Sequence, residues 1–170
     1  MKHSLVCIMA ALLASTAAAQ APAPRPEDVS TLDGIIGAFY DVISGPAGTP
    51  RQWRRDSSLY IPRVRFVAMD VEGTRPVAAV MDHAEFVARY NKAFVDRGFF
   101  EREIHRVTKR FGNIAHVFST YEYKATENGP VQGRGVNSIQ LFWDGTRWWI
   151  AGAIWDDERP DNPIPADLRQ

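Results

Sequence analysis

The chain has 170 residues, in which 20 lysines and arginines balance 20 aspartates and glutamates, and a single cysteine. A balanced charge without a basic stripe is not typical of a nucleic-acid-binding protein. The chain also lacks the long run of like charges that is typical of a disordered tail. A hydrophobic content of 45%, with nine phenylalanines and five tryptophans, predicts one globular domain with an aromatic core.

Residues 1–19 have the pattern of a secretory signal peptide, with a positive start, an apolar run over 5–14 and small residues before the cleavage point. The run is shorter than the ~20 residues of a membrane span, and Cys7 lies inside it, so we expect neither a membrane anchor nor a lipid anchor. We expect cleavage after Ala19, or alternatively after Ala21. The protein would be exported, to the periplasm or the medium.

Capping residues and apolar stripes predict the helices. The proline-rich segment 20–29 is expected to be an extended linker. Three helices follow: one between Ser30 and Gly45, a short one that opens at Thr49–Gln52 and carries Trp53, and one from Asp82 to Gly98.

A period of two predicts strands in the rest of the chain. One or two short strands, broken at Pro62, are expected over 59–70, and two hairpins turn at Gly112-Asn113 and Asp144-Gly145. The predicted fold is α+β, with three N-terminal helices packed on a curved antiparallel sheet. The domain would span 30–157, and the charged, proline-rich tail 158–170 would lie over its surface.

This order of elements, together with the segment GRGVNSIQLFWDGTRWWIAGAIWDDE at 133–158, resembles the nuclear transport factor 2-like (NTF2-like, SnoaL-like) superfamily. Within it, the chain is similar to small exported members of unassigned function. The Asp-Gly turn followed by Arg147-Trp148-Trp149-Ile150 carries the resemblance most specifically. The resemblance implies a cone with a pocket at its open end and frequent dimerisation through the convex sheet, but no particular reaction.

Ketosteroid isomerases of this superfamily use an aspartate, a tyrosine and a second acid inside the cone. The matching positions of this chain are Ile61, Ala38 and Ile139, none of which moves a proton. The resemblance therefore argues against that mechanism.

Strand register offers a different acid–base candidate. Counting back from the Gly112-Asn113 turn puts Glu103, His105 and Thr120 on one face, and the arginines of the opposite face favour this one as inward. A slip of one residue would reverse the assignment. If the face is inward, His105 with Glu103 could act as an acid–base pair. His105 and His116 loosely resemble the strand histidines of scytalone dehydratases, but four residue steps, roughly 13 Å, would separate them, too far to share one substrate atom. The alternative is that these are ordinary strand histidines.

Aromatic residues of the last hairpin predict an interface. Phe142, Trp149 and Trp155 fall on one predicted face, which suits a homodimer, although Trp149 could instead form a ligand platform. The opposite face carries Asn137 and Ile139.

We expect an exported binding or accessory protein whose pocket accepts a small apolar or carbonyl-bearing molecule without turnover. Two alternatives stay open: a lyase or isomerase acting through His105 and Glu103, and a structural homodimer without a ligand. The spacing of the histidines predicts no metal site, and the sequence shows no phosphate-binding loop, so no cofactor is expected. The expected pocket residues are Trp53, Tyr60, His105, Thr120 and Asn137.

Overall fold

The structure, a computed structural model, describes residues 23–169, so the predicted signal peptide and both cleavage points lie outside the described residues. The helices are α1 (Pro26–Val29), α2 (Leu32–Asp41), α3 (Trp53–Ser57) and α4 (His83–Arg97). The strands are β1 (Tyr60–Glu72), β2 (Arg75–Met81), β3 (Phe100–Phe111), β4 (Ile114–Lys124), β5 (Gly133–Trp143) and β6 (Trp148–Asp157). A short 3-10 turn, Ala166–Leu168, follows. None of the helices that the structure describes is long and apolar enough to cross a membrane.

All six strands form one sheet in the order β2-β1-β6-β5-β4-β3. The sheet is mixed rather than antiparallel throughout, because β1 pairs with β6 in parallel. A parallel pair needs a long crossover, which the intervening chain from β2 to β5 provides. The α+β prediction, with helices packed against a curved sheet, is confirmed.

The core lies between α2 and the inner face of the sheet. Ile35 and Ile36 of α2 are fully buried, as are Val117 of β4, Ile139 of β5 and Ile150 of β6. Removing this apolar surface from water is the main stabilising term of the fold.

The ends of α4 are as its sequence predicts. Asp82 accepts a hydrogen bond from the Glu85 backbone N–H while the Glu85 side chain accepts one from the Asp82 N–H, a complete capping box. Gly98 has φ +76°, and a Cβ there would lie 2.4 Å from the Ala125 carbonyl oxygen, so the helix ends at a position that requires glycine.

Two other helices differ from their predictions. The cap of α2 is Thr31, whose hydroxyl accepts from the Gly34 N–H, rather than Ser30. The short helix α3 begins at Trp53 rather than at Thr49. Arg51, which precedes this helix, is buried. Its guanidinium donates to backbone carbonyls that include that of Gly45, so its side chain stabilises the preceding loop and is not part of the helix.

The predicted extended linker is wrong from Pro26 onward. Residues 26–29 form α1, because the buried carboxylate of Asp28 receives two hydrogen bonds of 2.7 Å from Arg55 on α3. Val29 is 4% exposed, so α1 belongs to the folded domain.

The two predicted hairpin turns have different outcomes. Phe111 pairs with Ile114 across Gly112-Asn113, as predicted. In the second hairpin Trp143 pairs with Trp148 instead of Thr146. The Asp144 carboxylate accepts the backbone N–H groups of Thr146 and Arg147, which makes a four-residue loop.

Two β-bulges change which side chains face inward. On β3, Glu103 pairs with Tyr121 and His105 with Thr120, so the ladder skips Ile104. On β6, Ile150 pairs with Leu141 and Gly152 with Gln140, so the ladder skips Ala151. An extra residue reverses the inward and outward alternation beyond it.

The tail after β6 folds over the outer face of the sheet. The Thr120 hydroxyl donates to the Leu168 carbonyl at 2.6 Å, and Ile164 is 5% exposed. Residues 158–169 therefore lie over the surface of the sheet.

Candidate functional site

A cavity of about 860 Å³ occupies the open end of the cone. Its mouth lies between the far end of the β1–β2 hairpin, α4, and the segments that enter β5 and leave β6. This volume lies within the range of small-molecule sites, roughly 300–1,000 Å³.

The walls are aromatic. Helices α2 and α4 contribute Phe39, Phe86, Tyr90 and Phe94. The sheet and the residue that precedes β3 contribute Tyr60, Phe66, Phe99, Tyr121, Tyr123 and Trp155. Phe99 stacks between Phe94, with ring centroids 4.1 Å apart, and Tyr123, at 5.6 Å. Such stacked rings form flat, polarisable walls that suit ring-bearing ligands.

Two glycines of β5 let tyrosine rings lie flat across the inner face of the sheet, which forms the floor of the cavity. A Cβ at Gly133 would lie 2.4 Å from the Tyr123 hydroxyl oxygen, and one at Gly135 would lie 2.3 Å from that of Tyr121. The tyrosine rings therefore cross β5 at two positions where the side chain of any residue other than glycine would collide with them. The Tyr121 hydroxyl reaches β6 and donates to Asp157 Oδ1 at 2.5 Å.

Two carboxyl groups lie at the polar end of the cavity, Glu101 at the start of β3 and Asp157 at the end of β6. Burial, and then the negative charge of Asp157, raise the pKa of Glu101 to about 8. Glu101 is thus mostly protonated at neutral pH. Burial and the same two carboxylates raise the pKa of the Tyr121 phenol, which stays a hydrogen-bond donor.

Buried polar groups hold the other side of the cone in place. The Tyr60 hydroxyl donates to Asp56, which also binds His83 Nε2, both at 2.8 Å. The Asn137 amide donates to the Tyr40 hydroxyl at 3.1 Å, and that hydroxyl bonds Ser119. These groups satisfy one another, so they fix the shape of the cavity.

Only two of the five predicted pocket residues line the cavity. Tyr60 and Asn137 line the cavity, whereas Trp53 packs beside it on Phe86 and Phe94 and donates to Asn91. His105 and Thr120 lie on the outer face, Thr120 beneath the tail.

The proposed His105–Glu103 pair is not formed. Beyond the bulge, Arg102 rather than Glu103 lies opposite Glu122 on β4. The bulge at Ile104 leaves Glu103 inward, bound by Arg106 and by the Ser119 hydroxyl, and His105 outward. A single ligand could not contact both.

The three predicted interface aromatics also separate. Phe142 and Trp149 pair on the outer face, as expected. Trp155 lies inward against Phe86 and Tyr90, because the bulge at Ala151 reverses the alternation.

Sequence reasoning missed Glu101, Tyr121 and Asp157. Tyr121 lies on the inner face of its hairpin, opposite to the face of His105 and Thr120 that the sequence predicts as inward, so that prediction is wrong. Asp157 was placed at the edge of the tail, since its orientation depends on the bulge. The glycines of Gly133-Arg134-Gly135 were a usable signal, because alternate glycines on a central strand mark a close approach by neighbouring side chains.

The isomerase positions carry no acid in the folded structure either. Ala38 and Ile139 are buried in the core, and Ile61 packs against it. Within residues 23–169, no group of three histidine, cysteine or acidic residues is placed to hold a metal ion.

Solved structures with this fold come from several bacteria. An NTF2-like protein of unknown function from Silicibacter pomeroyi superposes with a TM-score of 0.52 at 11% identity, covering 76% of this chain and 94% of that one. A protein of unknown function with a cystatin-like fold from Nostoc punctiforme gives 0.55 at 8%, covering 76% and 89%. A proposed dehydratase of the NTF2-like family from Streptomyces avermitilis gives 0.51 at 16%, covering 82% and 97%.

These similarities show that the chain has the NTF2-like fold, as the sequence resemblance implied. No protein-family model matches the sequence, and no curated protein matches it.

Proposed function

We propose that this protein is an exported small-molecule-binding protein that holds a ring-bearing, mostly apolar molecule in the cone, without turnover. The observation that carries the proposal is the cavity of about 860 Å³ lined by stacked aromatic rings. An open cavity of this size, with a few polar groups at one end, favours ligand binding over a purely structural role. Export rests on the signal-peptide pattern of residues 1–19.

The test is a thermal-shift panel of ring-bearing compounds on the purified protein. We expect at least one chemical class to raise Tm by several degrees, since a ligand at 100 times its Kd stabilises the folded state by ~2.7 kcal/mol. Silence across the panel would contradict the proposal.

A matched pair of variants separates binding in the cavity from binding elsewhere. Ala79 of β2 lines the cavity, and its neighbour Val80 is exposed on the opposite face. Ala79→Phe should fill part of the cavity and weaken binding at least about tenfold, whereas Val80→Phe should leave the affinity unchanged. Equal effects of the two variants would place the ligand outside the cone.

A lyase or isomerase is a second candidate, with Glu101 in place of the His105–Glu103 pair. The supporting observation is a carboxyl that is protonated at neutral pH and faces a cavity. Its test is product formation from a ligand found in the panel, with activity lost in Glu101→Gln while binding persists.

A further inference from the structure

The carboxyl of Glu101 faces the cavity without a partner of its own. Its backbone carbonyl and N–H bond the Ser44 hydroxyl, but its carboxyl makes no hydrogen bond or ion pair in the described part of the chain. The carboxylate of Asp157 is bonded by the Tyr121 hydroxyl. Once Glu101 is ionised, this polar end has more hydrogen-bond acceptors than donors, which suits a ligand that brings donors or positive charge.

The arginines near the mouth are engaged with other groups. Arg134 lies 3.9 Å from Glu122, and Arg159 binds Asp156 at 2.5 Å. The guanidinium of Arg89 lies 5.7 Å from the centre of the Tyr90 ring. Five carboxyl residues and three arginines line the cavity and its mouth. Glu72 is paired with Arg75 at 2.9 Å, and the other four carboxyl residues outnumber Arg89, the one lining arginine without an ion pair in the described residues, so the lining carries an acidic excess.

Aromatic faces complement a cation as well as an apolar ring. The rings of Tyr121, Tyr123, Phe99 and Trp155 lie along the same cavity as the two carboxyl groups. A cation over such faces is attracted to the negative face of the ring, most strongly when water is excluded, and aromatic enclosures bind quaternary ammonium groups for this reason.

We infer that the ligand of the cone is an organic cation, an amine or quaternary ammonium group carried on an apolar, ring-bearing body. The cationic group would lie between Glu101 and Asp157, and the body would lie against the aromatic walls. The inference rests on the proposed binding function and names its ligand class.

The test compares three probes with one body, phenylbutylamine, phenylbutanol and phenylbutyrate, by isothermal titration calorimetry, repeated with cyclohexyl and naphthyl bodies. We expect the amine to bind at least about tenfold more tightly than the alcohol, and the carboxylate most weakly. Glu101→Gln should reduce the affinity for the amine about tenfold and leave that for the alcohol unchanged.

Proton linkage provides a second measurement. The amine is charged up to pH ~10, and it favours ionised Glu101, whose pKa is about 8 in the free protein. Its affinity should therefore rise with pH from about 6 to 9 in the wild type and less in Glu101→Gln. The other titratable groups around Glu101 are Asp157 and the phenols of Tyr40, Tyr60, Tyr121 and Tyr123, with Arg89 at the mouth.

The outcomes distinguish the two proposals. If the alcohol or carboxylate binds as tightly as the amine, the cation inference fails and the binding function stands. If no probe of any body binds, and the wider panel is silent, the binding function fails and the inference with it.

Discussion

Glu101 shows how a side chain's surroundings decide its charge. In the sequence it is one glutamate among several at the start of a strand. In the fold it lies inside the cone near Asp157, and burial with that neighbouring charge raises its pKa to about 8. Between about pH 4.5 and 8 the folded protein therefore keeps a proton that the unfolded chain has lost.

This difference predicts how stability depends on pH. Because the folded state binds more protons in that window, the contribution of Glu101 to the free energy of unfolding falls as pH rises. Glu101→Gln removes the titration, so its Tm relative to wild type should rise by on the order of 5 °C between about pH 5 and pH 9. Calorimetry measures this. An unchanged difference would mean that Glu101 ionises normally, and Glu127→Gln, at an exposed loop residue, should give no trend.

The site is built largely on strands, and the bulges and glycines of these strands determine its geometry more than their regular pairing does. The bulge at Ala151 sends Trp155 and Asp157 inward, and the bulge at Ile104 separates Glu103 from His105. On β5 the glycines at 133 and 135 allow two tyrosines to cross the strand. Together these features make the aromatic floor and place the carboxyl groups at its end.

Gly135→Ala tests the floor. The new Cβ would lie 2.3 Å from the Tyr121 hydroxyl oxygen and 2.5 Å from the Asp156 carbonyl oxygen, so it would displace the ring, break its bond to Asp157 and press on the β6 backbone, at a cost of about 1–3 kcal/mol. The matched control is Gly37→Ala, since Gly37 is exposed on α2 and a Cβ there meets nothing within 4 Å. The Gly37→Ala variant should be about 1 kcal/mol more stable than the wild type, because alanine has a higher helix propensity than glycine. Urea unfolding measures both, and equal effects would contradict this account of the floor.

On the scale of the whole molecule, the outer face of the sheet has two parts. The tail covers the part around Thr120. Toward the turns, cross-strand pairing sets Phe111, Ile114, Phe142 and Trp149 in one row, and Phe111 is 84% exposed. An uncovered apolar row of this kind is typical of an interface. The proposed homodimer would use this row, without Trp155.

Sedimentation velocity tests the dimer. We expect a dimer that Trp149→Glu and Ile114→Lys each convert to monomers, because a charge in an apolar interface loses its hydration. Two variants are used because the Trp149 Nε1–H also bonds Asp144 in the preceding loop. Val80→Lys, on the exposed face of an edge strand, should leave the dimer intact. If the wild-type protein sediments as a monomer, the homodimer proposal is wrong.

Local sequence patterns predicted the features that depend on near neighbours. The capping box at Asp82, the stop at Gly98 and the Gly112-Asn113 turn follow from local backbone chemistry, and each was predicted correctly. The α+β class followed from the change of hydrophobic period from helices to strands, and the resemblance predicted the cone.

Tertiary structure alone decided the candidate site. Which face of a strand points inward depends on register, and one unpaired residue reverses it, so the two bulges determined the positions of Glu103, Trp155 and Asp157. His105 pairs with Thr120 as predicted, but that face of the hairpin is the outer one. Nothing local in the sequence marks Ile104 as a bulge, whereas Gly152, an isolated glycine inside β6, is a signal for the bulge at the neighbouring Ala151. The raised pKa of Glu101 comes first from its burial in the cone and then from the charge of Asp157, 56 positions away in the chain, which only the closed cone brings near it. Burial and charge act through space, whereas sequence patterns report on neighbours along the chain.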